Sequence, residues 1–125
     1  MDPKKVVAVI GASSNRRKFG NKALRAFEHR GYTVIPINPN EAEVEGHTTY
    51  PSVLDVPGPI DMATVYIPAE PALRVMEQLA QKGVGEVWLN PGADDDAVID
   101  RAESLGLNVV QACSIVGIGE SPSRY

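Results

Sequence analysis

Apolar positions along the chain fall into two alternating periods. Val6–Ile10 is a short, continuous, largely β-branched run, as a parallel strand buried on both faces requires. Residues 21–30 place Leu24 and Phe27 at helical spacing, with Ala23 and Ala26 beside them, and Gly31 supplies a C-terminal stop. Thr33–Ile37 reads as a second strand ended by Asn38-Pro39-Asn40. A polar loop follows to Gly46, and residues 50–57 have room for one helical turn with Ser52 as its N-cap. Residues 62–67 form a third strand, stopped by Pro68. Residues 70–82 carry Leu73, Met76, Leu79 and Ala80 on one helical face, and Gly83 ends them. Glu86–Leu89 is a fourth strand. Asp94-Asp95-Asp96 puts negative charge where a helix start favours it. That helix runs through Val98, Ile99, Ala102 and Leu105 to Gly106, and residues 108–110 are a fifth strand. From about residue 117 to Tyr125 the chain is rich in Gly, Ser and Pro and is expected to be irregular.

Five short apolar strands alternating with helices imply a parallel sheet covered on both faces. Right-handed crossovers then make it doubly wound. The expectation is an α/β, Rossmann-like, five-stranded sheet of order 3-2-1-4-5, spanning residues 1–125 as one domain. No internal repeat or low-complexity segment interrupts it.

Composition narrows the function. At 43% hydrophobic and 22% charged residues, a 125-residue chain can bury a core without metals or disulfides. The start, Met1-Asp2-Pro3-Lys4-Lys5, runs into an apolar segment too short for a signal peptide, and no run approaches a membrane span. A cytoplasmic protein without membrane contact is expected, and the single Cys113 fits a reducing compartment. The net charge of −4 speaks against nucleic acid as a partner. Against that background the Arg16-Arg17-Lys18 cluster points to a small anionic ligand, unless it is simply a solvated charge run.

Ligands of such sheets bind beyond the carboxyl ends of the strands. The most specific segment there is the first loop. Gly11 permits a tight exit from strand 1, and Ala12, Ser13 and Ser14 are small enough for backbone N–H groups to approach an anion. Arg16, Arg17 and Lys18 add charge, and Gly20 follows. A dinucleotide fingerprint would read G-x-G-x-x-G, but its second and third glycines fall on Ser13 and Arg16. The acidic residue expected at the end of strand 2 is replaced by Asn38-Pro39. Other chemistry is thin. His29 and His47 lack ligand-like spacing, and the Asp94–Asp96 run reads as capping before it reads as a metal site. Ser13 and Ser14 lack a G-x-S-x-G setting, and Trp88 reads as sheet or core. Cys113 follows strand 5, so it is either a small buried residue or a thiol near the ligand edge.

The ordered pieces V-A-V-I-G-A-S, F-G-N, G-Y-T-V-I-P-I-N-P-N, G-H-T-T-Y-P-S-V, I-D-M-A-T-V-Y-I-P-A-E, K-G-V-G-E-V-W-L-N-P-G-A and G-L-N-V-V cover nearly the whole chain. Together they resemble the CoA-binding domain family, small Rossmann-like proteins similar to the CoA-binding domain of the succinyl-CoA synthetase alpha subunit. The resemblance implies coenzyme A or acyl-CoA as ligand. The Gly11–Ser14 turn and its cations would meet the pyrophosphate and 3′-phosphate. Asn38, Pro39 and Asn40 would border the adenosine. Tyr66, Ile67 and Pro68, with Asn90, Pro91 and Gly92, would lie along the rest of the ligand. Two departures stand out. Asn40-Glu41-Ala42 replaces the Lys or Arg that relatives often carry after the N-P pair, and Gln111-Ala112-Cys113 replaces Asp-Arg-Cys. The implied function is CoA binding without catalysis by this chain and with no protein partner specified. The alternatives are a subunit or detached domain of an acyl-CoA ligase, a thiol-dependent enzyme using Cys113, and an NAD(H)-responsive regulator.

Overall fold

Pro36 interrupts the hydrogen-bonding capacity of the second strand, and the topology accommodates it. A residue without an N–H belongs near the edge of a sheet. The computed structural model of the chain describes residues 5–125, so residues 1–4 of the polar start lie outside the described residues. Five parallel strands form the main sheet: β1 (Val6–Ile10), β2 (Thr33–Ile37), β5 (Met62–Val65), β6 (Glu86–Leu89) and β7 (Val109–Gln111). They stand in the order β2-β1-β5-β6-β7. Val9 is in register with Pro36 on one side and Thr64 on the other.

Outside β2 lies a single residue, Tyr50, in a parallel bridge to Ile37. Its N–H donates to the Pro36 carbonyl at 3.1 Å, and its carbonyl accepts from the Asn38 N–H at 3.0 Å. Tyr50 therefore takes the third place of the expected 3-2-1-4-5 pattern, as a rudimentary strand. The segment expected there, residues 62–67, takes the place next to β1 instead. The reason is burial: all four residues of β5 are buried, which suits an interior strand and not an edge.

Alternation along the strands divides the core. Val7 and Val9 join Leu24 and Phe27 of α1 (Phe19–His29) on one face. Ala8 and Ile10 join Met76 and Leu79 of α2 (Ala69–Lys82), and Val98 and Ala102 of α3 (Asp96–Ser104), on the other. Gly83 ends α2 in the left-handed conformation, and the Asp95 carboxylate caps α3 by accepting from the Ala97 N–H at 2.9 Å. No helix among the described residues is long and apolar enough to cross a membrane.

Two segments carry more structure than their sequence suggests. The polar loop running to Gly46 forms the first strand and the turn of a short antiparallel hairpin, β3 (Glu43–Val44) with β4 (His47–Thr48). Its turn places Glu45 and Gly46 at positive φ, the geometry that right-twisted hairpins favour, and Val44 anchors it in the core. A short helix, α4 (Ser114–Gly117), leads into the tail expected to be irregular from about residue 117, and that tail ends in one 3-10 turn, Pro122–Arg124. The buried Glu120 holds it, accepting from the Tyr125 hydroxyl at 2.8 Å and from Arg124 at 3.0 Å. Arg25 of α1 donates to the Tyr125 carbonyl at 2.9 Å.

Candidate functional site

The carboxyl ends of β1, β5 and β6 open into a cleft of about 1150 Å³. That exceeds the ~300–1,000 Å³ of ordinary small-molecule pockets and suits an elongated ligand. Its floor is set by two glycines. Gly11 donates its N–H to the Ile37 carbonyl at 3.0 Å and sits at φ +87°. A Cβ there would lie 2.8 Å from both the Ile67 Cγ2 and the Tyr66 carbonyl oxygen. At Gly20, in the first turn of α1, a Cβ would lie 2.2 Å from the Gly11 carbonyl oxygen. Close packing of the first helix on the first turn is the task of the third glycine in a dinucleotide fingerprint. Here a longer loop moves that task from the position of Arg16 to Gly20.

The N-terminus of α1 is consequently open to the cleft. Its N-cap residue, Lys18, makes no side-chain cap bond, and the first turn contains no acidic residue. The N–H groups of Phe19 and Gly20 have no acceptor among the described residues. Such a terminus favours an anion through its dipole and its free donors.

Most residues singled out from the sequence meet in this cleft. Gly11, Ser13, Lys18 and Gly20 line it from the first loop, Asn38 and Asn40 from the β2 exit, and Tyr66, Ile67 and Pro68 from the β5 exit. Asn90, Pro91 and Gly92 line it from the β6 exit, and Cys113 lies beside β7. The others stand elsewhere. Ala12 is fully buried. Pro39 lines a second recess of about 390 Å³ that shares Gly11, Asn38, Asn40 and Ile67 with the cleft and is closed by Pro51, Val53, Arg74 and Gln78. Arg16 is directed to Glu45 at 3.5 Å, and Arg17 is exposed; neither lines the cleft.

Several of these side chains act on the loops rather than on open space. The Asn38 amide donates to the Ala12 carbonyl at 2.8 Å and accepts from the Asn40 N–H at 2.8 Å, which ties the β2 exit to the first loop. Asn21, fully buried, donates to the Ser13 carbonyl at 2.8 Å. Asn90, also buried, donates to Thr64 Oγ1 at 2.7 Å and the Val65 carbonyl at 3.0 Å, while its Oδ1 accepts from the Ser114 N–H at 2.9 Å. The Ser114 hydroxyl completes the set with Thr64 at 2.7 Å and the Tyr66 phenol at 3.0 Å. Burial pushes the Tyr66 phenol above its ordinary value near 10, against the pull of the Ser114 and Thr64 hydroxyls. It therefore stays a neutral hydrogen-bond donor at the cleft wall.

Sequence reasoning missed four cleft residues: Phe19, Glu41, Ala93 and Pro122. Glu41 matters most. Its carboxylate accepts from the Ser14 N–H at 2.6 Å and the Ser14 hydroxyl at 2.5 Å. The sequence carries this carboxylate a few residues after Asn38-Pro39, and its place just after the strand stop was the available signal. Pro122 had no local signal, because it reaches the cleft through the docking of the tail. Among the described residues, no group of three His, Cys, Asp or Glu side chains is arranged to hold a metal.

Comparison with known proteins identifies the family. The family model described as "CoA binding domain" matches residues 5–119. The ADP-forming acetate–CoA ligase I of Archaeoglobus fulgidus is 33% identical over 116 residues, covering 85% of this chain and 17% of the ligase. The solved structure of a hypothetical protein from Pyrococcus horikoshii OT3 is 30% identical with a TM-score of 0.83, covering 90% of this chain and 80% of that one. The apo dinucleotide-forming acetyl-coenzyme A synthetase 1 of Ca. Korarchaeum cryptofilum is 30% identical with a TM-score of 0.74, covering 86% of this chain and 26% of that one. The chain spans between 14% and 29% of the length of four acetate–CoA ligase chains that it matches.

Proposed function

Because the chain belongs to the CoA-binding domain family, we propose that it binds coenzyme A or an acyl-CoA in this cleft and performs no catalysis of its own. The observation that carries the reading is the open N-terminus of α1 beside the Gly11 turn, with Lys18 at its start. The pyrophosphate sits there, held by the Phe19 and Gly20 N–H groups and the Lys18 ammonium. The adenosine lies toward Asn38, Pro39 and Asn40 and the adjoining recess. The pantetheine arm runs along Tyr66–Pro68 and Asn90–Gly92, toward Cys113.

Calorimetric titration tests this with CoA, acetyl-CoA, dephospho-CoA and NAD. Micromolar or tighter binding of a CoA species is expected, and binding of none overturns the proposal. Formation of acetyl-CoA from acetate, CoA and ATP by the chain alone overturns the non-catalytic part. A second reading, a subunit or domain of an acyl-CoA ligase, is favoured by the ADP-forming ligases among its relatives. It predicts that acyl-CoA forms only when the remaining ligase domains are supplied. Cys113 on the cleft wall favours a narrower thiol-based variant, supported if the Cys113 thiol exchanges with added CoA disulfide to give a mixed disulfide and one equivalent of free CoA.

A further inference from the structure

We infer that Glu41 sets the ribose specificity of the cleft, favouring a nucleotide with a free hydroxyl pair over one carrying a 3′-phosphate. The inference rests on reading the cleft as the CoA site. Glu41 leaves the exit of β2 and lines the cleft. Its two carboxylate oxygens each accept one bond from Ser14, one from the N–H and one from the hydroxyl. Charge-assisted bonds of this kind are the strong ones, so the carboxylate is held in place and not free to swing into solvent.

A carboxylate has about four lone-pair sites, and Ser14 engages two of them. The rest are open to hydroxyl donors from a ligand. No cation pairs with Glu41 among the described residues, since Arg16 is directed to Glu45. Its carboxylate therefore lines the cleft without an ion pair of its own, although Lys18 lines the same cleft. In open α/β sheets a carboxylate from the end of the second strand accepts bonds from ribose hydroxyls. A phosphate ester at the same ribose would meet a like charge in a partly enclosed site, where repulsion is stronger than in water. Arg74, on the wall of the adjoining recess and without an ion-pair partner among the described residues, is the cation that a 3′-phosphate would have to reach instead.

The test is calorimetry of the whole chain with CoA and 3′-dephospho-CoA, for wild type, Glu41→Gln and Arg74→Ala. Wild type is expected to bind dephospho-CoA about tenfold more tightly, the scale of a partly screened like-charge contact. In Glu41→Gln the preference is expected to shrink to within about twofold, mainly through tighter CoA binding. The wild-type comparison needs no variant to fold. Equal or tighter binding of CoA by wild type overturns the inference alone, and its loss in Arg74→Ala would identify the residue responsible. A ratio unmoved in Glu41→Gln overturns it too. Failure of both ligands to bind overturns the cleft reading itself, and the inference with it.

Discussion

Replacing Gly20 by Ala separates the contribution of helix placement from that of charge. The added Cβ would lie 2.2 Å from the Gly11 carbonyl oxygen, 3.0 Å from its carbon and 3.3 Å from Ala12 Cα. All three are backbone atoms of the first loop, so no side chain can rotate out of the way. Relief requires the start of α1 to move off the loop by roughly 1 Å, and overpacking of this kind costs about 1–3 kcal/mol. The gain in helix propensity, at most ~1 kcal/mol, offsets part of it. A net loss of about 1–2 kcal/mol lowers the Tm of a chain this size by roughly 3–10 °C. CoA affinity should fall by about tenfold or more, because the free N–H groups of the first turn no longer face the anion together with Gly11. The control is Gly83→Ala, where a Cβ meets nothing within 4 Å but the residue sits at φ +75°. It should lose stability, by about 1–2 kcal/mol, without losing affinity. Thermal unfolding and calorimetric titration of the three proteins decide the matter. Wild-type affinity and Tm in Gly20→Ala would refute the argument, as would equal affinity losses in both variants.

Lys18→Ala should weaken CoA binding severalfold at low salt and less at high salt, whereas Arg16→Ala, whose guanidinium is directed to Glu45 outside the cleft, should change affinity by less than about twofold; titrations at two ionic strengths compare them. Asn90→Ala leaves the Ser114 N–H and the Val65 carbonyl without their buried partner; denaturant unfolding should show a loss of about 2–4 kcal/mol. Glu120 has its pKa lowered, first by the Tyr125 hydroxyl bond and also by Arg124, His29 and Arg30. Its contribution to holding the tail is therefore full above the unfolded carboxyl value near ~4.3 and is lost as pH falls through the lower folded value. The NMR shifts of the Tyr125 ring should report undocking in that acidic window, and Glu120→Gln should abolish the titration.

How much of this was readable in advance depended on the range of the interactions. The strands and helices that carry the cleft follow local rules of period and stop residue, so β1, β2 and β6 fall on the expected residues. The gathering of Gly11, Asn38, Tyr66 and Asn90 in one cleft followed from the rule that strand exits face a common edge. Strand neighbours were harder. The third place goes to Tyr50 because one bridging residue suffices there, and nothing in a one-residue strand has a periodicity to detect. Glu45 illustrates the same limit for charge. It engages Arg16 from the turn of a hairpin whose two-residue strands are too short to stand out in the pattern.

The first loop therefore divides its donors differently from what its sequence suggests. Three adjacent cations invite the reading that side-chain charge grips the phosphates. Yet Arg16 is engaged by Glu45, Arg17 is exposed, and the Ser14 donors are occupied by Glu41. What remains facing the cleft is Lys18, Ser13, the free N–H groups at the start of α1, and the backbone around Gly11. An anion held mainly by backbone donors is held by position, and position here depends on the contact of Gly20 with the Gly11 carbonyl. Under the CoA reading, specificity for the phosphate groups then follows from a carboxylate, Glu41, rather than from the cation cluster. The loop lengthened between Gly11 and Gly20 makes this possible, since it carries Arg16 toward the hairpin while Gly20 keeps the helix seated on the turn.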